Sequence, residues 1–353
     1  MVSELTIGDQ QLIINTYNCS ADAGVCNMIN QFRKYTPLNI LLLSVVGLVL
    51  CLGVFTHLPD NLMPVFFEPA ISNFTGKLTP ESISPEANVL ITLGLTIVQA
   101  LLINRVVNHF NLVGRPSFLA ALMYMTLASL MLPFLVLSPM LICNFLSIWM
   151  LDKLLSIYRR SEIKPLMFDL GMIVALGSLV YFPFIVMLLL AWCGLLIFRP
   201  FNWREWLAAP IGFAAVYFLL GVIYLWFDRM AAFYEIWLPL TYPFPTSVRI
   251  DIYDYLVLLP VVGIMVLFSF SLRQNLFKSV VHIRKSFQLL FCMFALAAVS
   301  FYLNADWSIN HFLLAVPPIA IYMTYYFNYA TKRWFYESVF ALLLLTIVYF
   351  QFF

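Results

Sequence analysis

Two carboxylates in a polar segment between long apolar runs are well placed to do chemistry. Asp60 and Glu68 stand in the segment 57–68. At the edge of a membrane, a carboxylate can take a proton from a sugar hydroxyl, or it can hold a divalent cation beside a lipid phosphate. We therefore predict that Asp60 and Glu68 are catalytic, and such a cation is the one cofactor that the sequence suggests. The alternative is that both are solvated carboxylates that cap a turn.

Two arginines in a second polar segment could bind phosphate. Arg229 and Arg249 are spaced along the segment 228–254, which also carries Glu235 and Tyr242. The planar guanidinium of Arg can bind two phosphate oxygens at once. We predict that Arg229, Arg249, Glu235 and Tyr242 bind the substrate, and that the two arginines hold the phosphate of a polyprenyl-linked sugar. The alternative is that each Arg pairs with an acidic neighbour in its own segment.

His311 adds a group that can act as an acid or a base near neutral pH. It ends a short polar segment, 304–311, that also contains Asp306. We include His311 among the predicted catalytic residues, and the alternative is a structural role. The chain contains no P-loop, dinucleotide-binding glycine motif, zinc signature or nucleophile elbow, so nucleotide-driven chemistry is not expected.

The composition of the chain is that of a membrane protein. Of its 353 residues, 63% are hydrophobic and 10% are charged, whereas soluble domains carry about 25% charged residues. The net charge of +2 comes without a dense basic patch, so nucleic acid is not an expected partner. The expected partners are membrane lipids, a polyprenyl-linked sugar and, in one alternative below, another protein.

The apolar runs predict an all-α, polytopic transmembrane bundle of about eleven helices. When these runs are threaded through a bilayer, every Lys and Arg except Lys77, Arg229 and Arg249 falls on one side. Because cytoplasmic loops attract Lys and Arg, this distribution places the amino terminus in the cytoplasm and the carboxyl terminus outside. The predicted spans are 38–55, 89–106, 118–136, 141–158, 166–181, 183–198, 207–227, 255–272, 287–303, 312–328 and 339–353.

The stretch 166–198 is too long for one spanning helix and short for two. Tyr181, Phe182 and Pro183 in its middle favour a turn, because Pro disrupts a continuous helix. Only two helices keep the later basic loops on the cytoplasmic side, so we predict a hairpin here.

The predicted domain organisation is simple. Residues 1–37 form a cytoplasmic arm, of which residues 1–27 are expected to be a dispensable tail or an upstream start-site artefact. Residues 38–353 form the transmembrane domain. Its long outer loops are 57–88 and 228–254, and both are rich in Pro and aromatic residues.

Three stretches carry a resemblance to a known family. Residues 102–112, which read Leu-Ile-Asn-Arg-Val-Val-Asn-His-Phe-Asn-Leu, and residues 202–206, Asn-Trp-Arg-Glu-Trp, resemble an uncharacterised family of bacterial polytopic inner-membrane proteins. Residues 32–39 fit it as well, and the resemblance covers roughly residues 28–350. It implies a multi-pass protein of the cell inner membrane, with no assigned activity. The layout is also similar to that of membrane glycosyltransferases and polysaccharide polymerases.

Three functions remain open on the sequence. The first is a polyprenyl-phosphate-dependent glycosyltransferase or polymerase of envelope glycoconjugate assembly, which would use the outer carboxylates and arginines. The second is a lipid or solute transporter, which requires polar residues near the middle of the membrane, and the sequence has few. The third is a non-catalytic membrane subunit of an envelope complex, which requires a protein partner. Fold-level similarity alone does not choose among them.

Overall fold

The computed structural model describes residues 28–56, 84–160, 162–241, 263, 265–266, 280–303, 309–330 and 332–352. Within these residues the protein is all-α and contains no strand. In chain order the α-helices are α1 (Met28–Phe32), α2 (Leu38–Thr56), α3 (Pro85–His109), α4 (Leu119–Ala128), α5 (Pro139–Ser156), α6 (Lys164–Val180), α7 (Leu188–Phe198), α8 (Trp203–Trp226), α9 (Met230–Glu235), α10 (Val281–Ser300), α11 (Val316–Tyr329) and α12 (Arg333–Phe352).

Five described segments are long and apolar enough to cross a membrane. They are α2, α3, α5, α8 and Val281–Leu303, which is α10 with a short 3-10 extension. An all-α protein with membrane-compatible spans is therefore confirmed. The number of eleven spans and the sides of the two termini stay predictions. Predicted span 255–272 lies almost entirely outside the described residues.

Two predicted spans are shorter as α-helices than the hydropathy suggested. In the stretch 118–136, α4 ends at Ala128 and a 3-10 helix, Leu132–Leu135, follows. Pro133 lies in that 3-10 helix, and it has no N–H to continue an α-helical ladder. In the stretch 312–328, the 3-10 segment Ile309–Ala315 comes first, and α11 starts only at Val316, with Pro in its first turn. Every side chain of α4 is buried, and α4 packs against α3 and α11 at the centre of the bundle.

The break predicted in the stretch 166–198 is observed between two helical segments, and a membrane crossing by each of them stays a prediction. Tyr181 has an extended backbone (φ −150°, ψ 108°) between α6 and the 3-10 helix Phe182–Met187, which leads into α7. A Cβ on Gly177 would collide with the ring of Phe184. The chain therefore folds back directly after Tyr181, and only Gly at position 177 admits the Phe184 ring.

Hydrogen bonds connect neighbouring helix termini at each of the two opposite ends of the bundle. At one end, Arg33 donates to the carbonyl of Phe327 at 3.2 Å, and Asn328 donates to the carbonyl of Val113 at 3.0 Å. This is the end that the charge distribution assigns to the cytoplasm. At the other end, which we call the outer end, the N–H of Leu137 donates to Asn88 Oδ1 at 2.8 Å.

The helices α6 and α8 pack with their backbones in contact. A Cβ on Gly171 would overlap the carbonyl oxygen of Ala209, and a Cβ on Gly212 would overlap the carbonyl oxygen of Phe168. Small residues permit this approach in membrane helices, where van der Waals packing replaces the hydrophobic drive of water. The contact fixes the position of α8, and through it the position of α9 at the outer end.

Candidate functional site

Among the predicted site residues, His311 has the most completely defined contacts. It is completely buried in the 3-10 segment Ile309–Ala315. Its Nδ1 lies 2.6 Å from the hydroxyl of Tyr181, and its Nε2 lies 2.9 Å from the carbonyl oxygen of Ala297. A carbonyl oxygen only accepts, so we assign the proton to Nε2. Nδ1 then accepts from the hydroxyl of Tyr181, and the imidazole is neutral.

Aromatic rings surround the imidazole and exclude water from it. The ring centroids of Phe301 and Tyr181 lie 5.4 and 5.7 Å from that of His311. This burial lowers the pKa of His311 below its usual value, because the charged form is poorly solvated. Both ring nitrogens are engaged, so in this structure His311 holds Tyr181 in place. A catalytic role for His311 stays a prediction, and it requires Tyr181 to move away.

The turn formed by Tyr181 and Phe182 also contacts the second polar segment. The rings of Phe182 and Trp237 meet edge to face, with centroids 6.3 Å apart. Trp237 lies two residues after the end of α9 and also packs on Tyr217 of α8, at a centroid distance of 4.8 Å. One turn therefore touches His311 on one side and the end of α9 on the other.

The short helix α9 carries two of the predicted substrate-binding residues. Arg229 immediately precedes it, and Glu235 is its last residue. Both side chains are exposed. Among the residues that the structure describes, neither makes an ion pair. The alternative in which Arg229 pairs with Asp228 or Glu235 is therefore not seen among the described residues.

The other four predicted site residues lie in parts of the chain that the structure does not describe. Asp60, Glu68, Tyr242 and Arg249 lie outside the described residues, and their roles stay predictions. In the described parts of the chain, no three His, Cys, Asp or Glu side chains lie close enough together to hold a metal ion. The predicted divalent cation would depend on Asp60 and Glu68.

A buried network of hydrogen-bonded polar side chains near His311 was not predicted from the sequence. Tyr124 donates to Gln99 Oε1 at 2.7 Å, and Gln99 donates to the carbonyl of Leu141 at 2.6 Å. Asn144 donates to the hydroxyl of Tyr124 at 3.3 Å and to the carbonyl of Leu313 at 3.0 Å. Asn144 Oδ1 is buried and has no hydrogen-bond partner within the described structure. The polar residue types were visible in the sequence, but the helices that bring them together were not.

The outer end thus carries three chemical groups on two segments that meet through Trp237. An exposed guanidinium immediately precedes α9, an exposed carboxylate ends it, and a neutral imidazole contacts Tyr181 of the turn. A guanidinium at a membrane surface can bind phosphate oxygens, and a buried neutral imidazole keeps the turn rigid. This arrangement suits recognition of an anionic ligand at the outer end.

Comparison with known proteins gives a family and no activity. A family model described as "Family of unknown function (DUF6427)" matches residues 80–353. No curated protein and no solved structure matches the chain.

Proposed function

This chain belongs to the family of unknown function DUF6427, and we propose that it is a multi-pass inner-membrane enzyme of envelope glycoconjugate assembly. Its substrate is a saccharide linked to a polyprenyl phosphate, and it acts at the outer face. One observation carries the proposal. Arg229 is exposed and without an ion pair among the described residues, on a segment that Trp237 holds against the turn supported by His311.

The proposed reaction is a glycosyl transfer. An acceptor hydroxyl attacks the anomeric carbon of the donor, and the bond between that carbon and the phosphate oxygen breaks. Asp60 or Glu68 takes the hydroxyl proton, or holds a cation on the phosphate. Arg229 and Arg249 bind the phosphate, whose negative charge grows as it leaves.

The other predicted residues have supporting roles in this scheme. Glu235 and Tyr242 form hydrogen bonds with hydroxyls of the bound sugar. His311 keeps the Tyr181 hydroxyl, and with it the turn beside Trp237, in one orientation. His311 is then a positioning residue, because both of its ring nitrogens are engaged.

The test is transfer by the purified full chain in proteoliposomes. A radiolabelled sugar on polyprenyl phosphate serves as the donor, and lipid-linked and polymeric products are separated and counted. Arg229→Gln and Asp60→Asn are compared with Lys77→Gln, a matched control because Lys77 is the third basic residue predicted to face outward. We expect Arg229→Gln to weaken donor binding by about tenfold or more. Equal product from wild type, Arg229→Gln and Asp60→Asn would refute the proposal.

A second candidate function is transport of a lipid or solute, and one observation favours it. Gln99 lies 14 positions after Pro85, the first residue of α3, which places it about 21 Å along a helix that crosses a core of about 30 Å. The buried polar chain of Gln99, Tyr124 and Asn144 therefore lies at membrane depth, and Asn144 Oδ1 is unpartnered within the described structure. Movement of labelled lipid between leaflets without a new product, abolished in Asn144→Leu, would favour transport over transfer.

A further inference from the structure

A groove at the cytoplasmic end of the bundle has the chemistry of a lipid headgroup site. It is a cavity of about 430 Å³ between α3 and α5, within the range of small-ligand sites, roughly 300–1,000 Å³. Its walls are mostly apolar, and its charged lining residues are Arg105 on α3 and Asp152 on α5. His109 and Trp149 complete its polar rim.

The charged residues lie at the same level and at the membrane boundary. Arg105 is four positions before the end of α3, and Asp152 is four positions before the end of α5. At 1.5 Å per residue, each stands about 6 Å inside the carboxyl end of its helix. Both helices end on the side that the charge distribution assigns to the cytoplasm, so both charges lie at headgroup depth.

An exposed apolar stripe of α3 lies on the same helix face as Arg105. Ile91, Val98 and Arg105 are spaced by seven residues on α3, and all three are exposed. Residues at this spacing share one helix face. Acyl chains can therefore lie along Ile91 and Val98 while the headgroup meets Arg105. Trp149 is half exposed at the same rim, as is typical of Trp at a membrane interface.

The two charges of the groove have no ionic partner among the described residues. Within the described residues, neither Arg105 nor Asp152 forms an ion pair, either with the other or with a third residue. The neighbouring Lys153 is engaged elsewhere, because it pairs with Asp169 at 2.6 Å. Opposite charges that line one groove without pairing match a ligand that itself carries both charges.

From this charge pattern we propose that the groove binds an aminophospholipid of the cytoplasmic leaflet, with its phosphate on Arg105 and its primary ammonium on Asp152. The guanidinium binds phosphate oxygens through charge-assisted hydrogen bonds. The ammonium donates charge-assisted hydrogen bonds to the carboxylate of Asp152. An anionic lipid without an amine would leave Asp152 unpaired beside a phosphate.

The experiment compares three headgroups on the full-length protein. The protein is delipidated in mild detergent and titrated with phosphatidylethanolamine, phosphatidylcholine or phosphatidylglycerol of matched chains, and bound lipid is counted by native mass spectrometry. These lipids share the phosphate and differ in carrying N–H donors, a quaternary amine or no amine. We expect the wild-type protein to bind phosphatidylethanolamine about tenfold more tightly than either of the others.

Variants separate the two charges. Arg105→Gln should weaken the binding of all three lipids. Asp152→Asn should remove only the preference for phosphatidylethanolamine. Arg115→Gln and Glu162→Gln change exposed residues of the same end and serve as controls with no expected effect. Equal binding of the three lipids by the wild-type protein, or an undiminished preference in a folded Asp152→Asn, would overturn the proposal. The wild-type comparison decides even if a variant fails to fold.

Discussion

Replacing Gly171 by Ala tests the backbone contact between α6 and α8. The new Cβ would overlap the carbonyl oxygen of Ala209 and stand 2.8 Å from the backbone nitrogen of Phe213, whereas ordinary van der Waals contact begins at 3.4 Å. Both obstructing groups belong to the backbone of α8, so no side chain can rotate out of the way. The helices must separate, and we estimate a movement of about 1 Å.

The expected loss of stability follows from this separation of the two helices. A gap of 0.5–1 Å forfeits roughly a quarter to a half of the dispersion energy of each contact across it. Overpacked sites in folded cores lose about 1–3 kcal/mol. Because the obstruction here is backbone on backbone, we expect the free energy of unfolding to fall by about 3 kcal/mol, the upper end of that range.

Gly94→Ala is the matched control. Gly94 also lies in the interior of an apolar helix, α3, but no atom lies within 4 Å of a Cβ built there. Removing Gly from a helix interior stabilises by up to about 1 kcal/mol. The two variants therefore make the same chemical change with opposite expected signs.

The measurement is unfolding by SDS in mixed micelles, followed by loss of helical circular dichroism. We expect Gly171→Ala to unfold at a clearly lower SDS fraction than the wild type, and Gly94→Ala at the same or a higher one. If Gly171→Ala and Gly94→Ala unfold at the same SDS fraction, the backbones of α6 and α8 are not in contact.

Three further results are expected from the described contacts. Tyr181→Phe removes the donor to His311 and should lower the free energy of unfolding by about 1–3 kcal/mol, whereas Tyr302→Phe, an exposed control, should change little. Burial lowers the pKa of His311, so the unfolded chain takes up a proton that the folded protein does not. Stability should then fall by about 1 kcal/mol from pH 7.5 to 5.5, and the fall should be smaller in His311→Gln. Arg33→Lys removes the guanidinium bonds to two helix-end carbonyls and should destabilise by about 1–3 kcal/mol in thermal unfolding, unlike Arg115→Lys.

The all-α fold class and the approximate helical segments could be predicted from the sequence, because both depend on the hydropathy of each stretch of chain by itself. Twenty apolar residues in a row identify a spanning helix whatever its neighbours are. The hairpin at Tyr181 was also predictable, since Pro183 and the later basic loops both required it. The breaks at Pro133 and before Val316 were missed, because hydropathy averages over a window and does not register a lost backbone donor.

The tertiary structure alone decided which side chains meet. Tyr181 and His311 are 130 residues apart, and Arg105 and Asp152 face one groove from two helices. In a water-soluble protein, a polar face would have indicated the buried side of each helix. Lipid is as apolar as the bundle interior, so exposed Val98 and buried Ile103 look alike in the sequence. The sequence therefore indicated helices long and apolar enough to cross a membrane, and packing determined which of their faces meet.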